Sequence, residues 1–444
     1  MADAAGRVAV TRRERWAWYL YDFGNSAYAA VVLLAVYSAY FQGTVVGGHE
    51  GSRLWGLSVG IAMLVVAVIS PVLGAIADYS ASKKRFLFIF TALACAFTGA
   101  LFFVREGDVL MGMLFFILAE IGYRSAQVFY NGLLPEIAAP EEMGRVSGNG
   151  WAIGSAGGIV CLLLVLPLVV LVKGAFVVRL SLLITAVFFA LAAVPIFLWL
   201  PERGRGRRLA AKESYLSLGF RRLWRTIRQA RQYGELAKFM GAFLVYNDGV
   251  IMALDFAAII GAVLFGLNQQ QLIIFVILVQ ITNVAGAWAF GAVADSTDCK
   301  RSLSASILLL IGTVIWMYFN QTVLGFYLIG AVAGFAMAGV QSVSRTMVGV
   351  IIPPGQSAEF YGLFAVAGRT SSFVGPAVYG WVAAEAARWY IAQGTAPLTA
   401  EQGGQRLAIL TIALFLATGL VLLWTINEAR ARATVRALAV EPGE

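Results

Sequence analysis

Runs of about 20 apolar residues recur along this chain, each long enough to cross a bilayer as a helix. Twelve are read from the sequence, at 16–41, 54–77, 86–104, 109–131, 148–172, 177–200, 237–265, 271–294, 302–319, 323–350, 360–384 and 405–426. Only 13% of the 444 residues are charged and 60% are hydrophobic. Soluble domains carry about 25% charged residues, and the mean hydropathy here is +0.79. The fold class expected is an all-α integral membrane protein.

Charge sets the expected orientation. With both termini in the cytoplasm, 24 of the 33 Lys and Arg fall on inner segments and six on outer loops. The positive-inside rule selects that arrangement. It also accounts for the net charge of +9 with no nucleic-acid partner. The longest inner segment, 201–236, holds Phe220, Leu223, Trp224 and Ile227 at helical spacing, with Arg221, Arg222, Arg225, Arg228 and Arg231 on the other faces. That pattern predicts a basic amphipathic tether lying on an anionic leaflet.

Several function classes lack their residues. There is one histidine, His49, so no HExxH zinc site exists and histidine acid–base chemistry is not expected. No Walker GxxxxGK[ST] sequence is present. Cys95, Cys161 and Cys299 lie within or at the ends of apolar runs and read as structural thiols. No cofactor, metal or enzymatic activity is expected, and no cleavable signal peptide is read at the start.

Polar residues inside the spans carry the functional signal. Glu120, Arg124, Gln127 and Asn131 are spaced 4, 3 and 4 apart and share one helical face. A charge at the bilayer centre costs about 2.5–3.5 kcal/mol on insertion scales, so this stripe must face protein or a polar cavity. Asp22 and Arg124 are placed about 10 Å inside the membrane by helical rise and are expected to pair, with Asn25 one turn above Asp22. Glu120 is the candidate proton carrier, because burial near mid-membrane favours the protonated acid. The bland reading makes it a static partner of Arg124. Further on, Asn247, Asp248, Asp255, Gln341, Arg345 and Arg369 supply a comparable set.

The chain also repeats itself. GAIADYSASKKR begins at Gly74 and GAVADSTDCKR at Gly291. Asp78 matches Asp295 and Gly158 matches Gly375 at one offset, and Arg124 sets against Arg345 four residues further. Two six-helix copies are implied, 1–200 and 237–430, joined by the 201–236 linker and followed by a 431–444 tail. Parallel repeats of this kind build transporters with a substrate site near the midplane. Asp78 and Asp295 each follow a glycine by four residues. With Lys83, Lys84, Arg85, Glu136, Arg145, Lys300 and Arg301 they form the expected gating loops on the cytoplasmic side. Gly150, Gly154 and Gly158 should allow close helix packing, and Trp16, Trp18 and Tyr19 read as interfacial anchors.

The twelve spans, the long central loop and the paired Gly-x-x-x-Asp…basic loops resemble the major facilitator superfamily. The loops depart from its usual signature in holding Tyr79 and Ser296 directly after the Asp. WYLYDFGNSAY at 18–28, YNGLLPEIAAPEEMGRVSGNGWAIGSAGG at 130–158 and QSVSRTMVGVIIPPGQSAEFYGLF at 341–364 resemble, more narrowly, the vacuole-effluxer family related to autophagy protein 22. That resemblance implies twelve helices in two pseudo-repeats, a place in the cytoplasmic membrane, and amino acids as first substrates. Arg side chains would take a substrate carboxylate, and Glu120, Asp22, Asp248 and Asp255 its ammonium. The expected function is ion-coupled secondary transport by a monomer, protons being one candidate coupling ion. The rivals are an exporter of apolar drugs or lipids and a non-transporting receptor or scaffold.

Overall fold

The computed structural model describes residues 10–47, 50–172, 174–203, 234–267, 269–353 and 355–440. Most of the 201–236 tether lies outside the described residues, and so does the side chain of Arg369. Every regular element among the described residues is helical. Six long helices precede the central segment: α1 (Arg12–Tyr28), α2 (Glu50–Ser80), α3 (Lys83–Ala100), α4 (Val109–Gly132), α5 (Met143–Pro167) and α6 (Ala175–Trp199). Six follow it: α7 (Gly234–Phe265), α8 (Gln269–Ser296), α9 (Cys299–Phe319), α10 (Val323–Ile351), α11 (Ser357–Ala392) and α12 (Pro397–Trp424). A short α13 (Glu428–Val440) comes after α12.

Local chemistry explains where several of these begin. Thr11 and Glu14 form a capping box: the Glu14 N–H donates to Thr11 Oγ1 (3.3 Å) and the Thr11 N–H to Glu14 Oε2 (3.2 Å). The first helix therefore starts at Arg12, four residues ahead of the apolar run. It continues beyond Tyr28 through π-helical turns at Ala29–Ala35 and Phe41–Val46, so the first membrane segment runs Arg12–Val46. The loop expected after residue 131 contains a one-turn helix, Leu134–Ile137, with Pro135 in its first turn.

Eleven helical segments among the described residues are long and apolar enough to span a membrane. The 36-residue α11 is the twelfth helix of membrane length. Large apolar side chains stand exposed along these helices, including Leu64 (68%), Leu163 (65%) and Leu414 (63%). Soluble monomers seldom expose apolar surface on this scale, whereas lipid solvates it. The protein is an integral membrane protein.

The helices cluster into two compact units. Unit 1 comprises Met1–Ile227 together with Pro353–Leu363, and unit 2 comprises Arg228–Ile352 with Phe364–Glu444. In unit 1, α1 lies against α5 at glycine distance. A Cβ on Gly157 would fall on the Phe23 carbonyl, and one on Gly150 would meet the Trp18 ring. Two of the three expected interfacial anchors are consequently not at an interface. Trp18 is fully buried, stacked on Tyr130 (4.4 Å) and donating from Nε1 to the Tyr130 carbonyl (3.0 Å). Tyr19 is buried as well, and Trp16 is 42% exposed. Gly150 makes the room that draws Trp18 inward. The three cysteines are free thiols.

Gly157→Val should force α1 and α5 apart and cost about 1–3 kcal/mol, the usual penalty for overpacking. Gly60→Ala, whose Cβ meets nothing within 4 Å, should leave the melt unchanged or raise it slightly. Thermal unfolding of the two purified variants in detergent checks the contrast.

Candidate functional site

In unit 1 the polar stripe of α4 stands as the spacing required. Glu120 is fully buried, while Arg124, Gln127 and Asn131 are half-buried. Arg124 Nε donates to Glu120 Oε1 at 2.7 Å, an i,i+4 ion pair. The other carboxylate oxygen, Oε2, is buried with no cation on it. Tyr28 of α1 stacks on Tyr123 (4.5 Å), and its hydroxyl is the hydrogen-bonding neighbour of the Glu120 carboxylate. The Arg124 guanidinium sits over the Tyr123 ring, 5.1 Å from its centroid.

Register places Asn25 on the same seam. Trp18 and Tyr21 both stack on Tyr130, and Tyr28 stacks on Tyr123. Asn25 lies on the same face of α1, between Tyr21 and Tyr28, and its buried Oδ1 has no partner. Buried oxygens of Asn25, Tyr28 and Glu120 thus line one polar seam, with the Tyr28 hydroxyl as a donor beside the Glu120 carboxylate. Asp22, 8% exposed, is turned toward α5, where a Cβ on Gly154 would sit 2.9 Å from its carboxyl carbon.

Unit 2 repeats that last arrangement. Asp248 of α7 is buried, accepts the Gly375 N–H at 2.9 Å, and occupies the space a Cβ on Gly375 would take. Pro376 follows in the chain and has no N–H to give. Asn247 donates to the Gly368 carbonyl at 3.2 Å. Arg345 is 5% exposed and Gln341 is half-buried, both on α10. Asp255 shares a helical face with Asp248 but is exposed, so the two carboxylates stand in different surroundings. Among the described residues no group of three His, Cys, Asp or Glu could hold a metal ion.

The loop residues form two kinds of cluster. Lys83, at the start of α3, is 6% exposed. It meets Asp78 (3.1 Å), Glu136 (2.6 Å) and Ser357 Oγ (2.6 Å). Ser357 in turn donates to the Gly132 carbonyl (2.7 Å). Asp78 also accepts the N–H of Glu359 (2.8 Å) in the first turn of α11, where a helix N-terminus favours an anion. A Cβ on Gly74 would fall on the Ala358 carbonyl, so this glycine permits the approach.

The second cluster occurs once in each unit and was not anticipated from the sequence. Lys84 Nζ donates to the carbonyls of Phe197 (3.0 Å) and Leu200 at the end of α6, and Glu202 accepts the Lys84 N–H (3.3 Å). Lys300 Nζ donates to the carbonyls of Trp424 (2.8 Å) and Ile426 (2.7 Å) after α12, and Glu428 accepts the N–H of Cys299 (3.3 Å) and Lys300 (2.8 Å). In both, a lysine covers orphan carbonyls and a carboxylate covers orphan N–H groups. Burial pushes the Glu202 carboxyl above its ordinary range, against the pull of the Lys84 N–H. The acidic residue soon after the last apolar run of each half was the available signal. The remaining loop cations are peripheral: Arg85 is exposed, Arg145 lies 4.0 Å from Glu142, and Arg301 pairs locally with Asp298 (3.2 Å). Asp295 is half-buried at the end of α8.

Comparison with known proteins places this geometry in context. The family described as "Vacuole effluxer Atg22 like" matches residues 55–436. An uncharacterized MFS-type transporter of Bacillus subtilis (strain 168), YxiO, is 27% identical over 378 residues, covering 82% of this chain and 87% of that protein. Autophagy-related protein 22 of Coccidioides immitis (strain RS) is 23% identical over 399 residues, covering 72% of this chain and 66% of its own length. Among solved structures, the human organic anion transporter MFSD10 (TETRAN) superposes with a TM-score of 0.69 at 14% identity, covering 93% of this chain and 99% of that one. The proton:xylose symporter XylE gives 0.68 at 13% identity, covering 96% and 98%. These likenesses show the fold: twelve transmembrane helices in two six-helix pseudo-repeats, the major facilitator architecture.

Removing Lys83 leaves Asp78 and Glu136 as buried carboxylates with no cation between them. Lys83→Met should therefore cost about 3–5 kcal/mol, against about 1.5–3 kcal/mol for Ser357→Ala, which removes an acceptor from the ammonium and a donor from the Gly132 carbonyl but leaves the ion pairs. Equal melting shifts for the two variants would show that the lysine charge is not what holds this cluster.

Proposed function

Because the chain belongs to the Atg22-like vacuole effluxer family, we propose that this membrane transporter moves small polar solutes, amino acids first, by alternating access driven by an ion gradient. The observation that carries the reading is the state of Glu120. One carboxylate oxygen is held by Arg124, and the other is buried with no cation on it and only the neutral Tyr28 hydroxyl as a neighbouring donor. A charge kept inside a membrane span at this cost marks a solute or ion route.

The residues divide the work by chemistry. Glu120 is a carboxyl that can take a proton on Oε2 and so slacken its hold on Arg124. Arg124, with 27% of its side chain exposed, presents a bidentate donor to a solute carboxylate. Gln127 and Asn131 continue the stripe as neutral hydrogen-bonding groups. On this proposal Asn247, Asp248, Asp255, Gln341, Arg345 and Arg369 contribute the second half of the solute and ion route. Asp78, Asp295 and the loop cations form its gates. The proton is the proposed coupling ion, the cytoplasmic membrane the proposed location with both termini inside, and the monomer the proposed working unit. The family and the structural neighbours are transporters, and we assign no catalytic reaction.

A thermal-shift screen of the detergent-purified protein against amino acids, sugars, nucleosides, organic anions and cationic drugs tests the solute class. A ligand at 100 times its Kd adds about 2.7 kcal/mol of stability, which a melt resolves. Stabilisation by an amino-acid class that disappears in Arg124→Ala is expected. Stabilisation by apolar drugs alone would replace this reading with an exporter of apolar compounds. For coupling, Glu120→Gln in proteoliposomes should lose pH-gradient-driven uptake while keeping solute exchange, and full retention of gradient-driven uptake would remove Glu120 as the carrier.

A further inference from the structure

Apart from the polar seam, unit 1 has a groove that its site residues do not use. A groove of about 470 Å³ runs between α3 and α6, lined by Cys95, Gly99 and Phe103 on one wall and Leu183, Val187 and Ala190 on the other. It is a shallow groove, open along its length, and not an enclosed cavity. Its floor is made by small residues, Gly99 with Ala186 and Ala190, between the larger Phe103 and Leu183. Gly99 has only Ala186 and Leu183 near its absent Cβ, both at 3.7 Å, where larger side chains would have closed the seam.

Length and charge identify what fits there. Ala190 and Arg179 lie eleven positions apart on α6, which is about 16 Å of helix. Half of a hydrocarbon core is about 15 Å. The stretch from Ala190 to Arg179 therefore matches one leaflet in length, and the groove occupies the part from Ala190 to Leu183, ending one helical turn short of Arg179. Arg179 is held there. Its Nε donates to the Ala175 carbonyl (3.3 Å) and Nη1 to the Phe102 carbonyl (3.4 Å). Its guanidinium also lies 5.7 Å from the Phe102 ring centroid. Phe102 packs edge-on against Phe103 and Phe176, an aromatic collar of the kind found at membrane interfaces. An apolar groove about 10 Å long, with a held cation one helical turn beyond its end, matches the two parts of a phospholipid.

We propose that the α3–α6 groove binds one phospholipid, its acyl chain lying along Gly99 and Ala190 and its phosphate on Arg179. This site is separate from the Glu120–Arg124 stripe and does not depend on which solute the transporter moves. The lipid completes a helix pair whose small residues leave a gap, and it acts as a structural ligand of unit 1.

Native mass spectrometry of the full chain, released from detergent in the presence of phosphatidylglycerol, tests the proposal. The wild type should keep one lipid at collision energies that strip all others. Ala190→Phe fills the groove from its exposed side and should abolish that retained lipid. Arg179→Gln should weaken retention about tenfold, the loss of one charge-assisted hydrogen bond. Arg388→Gln, an exposed arginine paired with Glu385, should change nothing. If Ala190→Phe does not fold, Val187→Trp closes the same groove. Uniform stripping of every lipid from the wild type, or equal retention by a folded groove-filling variant, would overturn the assignment. Diacylglycerol retained as well as phosphatidylglycerol would remove Arg179 from the site and overturn the phosphate half.

Discussion

Hydrocarbon offers a buried charge nothing to bind. Each ionisable group placed within these helices has to be met by the chain itself, or its energy would not be recovered. Lys83 shows one solution: its ammonium pairs with Asp78 and Glu136 and donates to Ser357. Glu120 shows another, with Arg124 on one oxygen and the neutral Tyr28 hydroxyl as neighbour. The two clusters differ in what gathers the charge: at Lys83 one ammonium joins three elements that lie far apart in the sequence, whereas at Glu120 the cation comes from one turn along the same helix.

Duplication has preserved geometry more faithfully than sequence. The pairs Asp22–Gly154 and Asp248–Gly375 put a carboxylate where a glycine leaves room, on corresponding helices of the two halves. The reciprocal caps of Lys84 with Glu202 and of Lys300 with Glu428 tie the start of the third helix of each half to the end of the sixth. The copies part at Lys83. Its counterpart just before Lys300 is Cys299, a buried thiol beside Glu428 and Arg432. Only the first half has a lysine free to gather two carboxylates. The two loops therefore carry similar motifs but different electrostatics.

Much of the architecture was legible from residues. Apolar runs of span length located the long helices, and the paired Gly-x-x-x-Asp loops announced the repeat. The spacing of Glu120, Arg124, Gln127 and Asn131 placed them on one face of α4. Boundaries moved where local chemistry outranked hydropathy, as at the Thr11–Glu14 box. Trp18 and Tyr19 were misread because amphipathic residues near a helix end suit an interface and a buried seam equally. The choice between them rested on Gly150 of another helix.

The sequence by itself determined what each segment could be: which stretches enter lipid, which faces are polar, and which half repeats which. Those are properties of one helix at a time, set by hydropathy and a period of 3.6 residues. Tertiary structure alone decided which polar atoms are satisfied. Nothing in the order of residues says that Lys83 reaches Ser357, that Glu428 covers the N-terminus of α9, or that Glu120 has the Tyr28 hydroxyl as its neighbour. Those outcomes depend on contacts between distant segments over a few ångströms, and it is at that scale that a buried charge finds its partners.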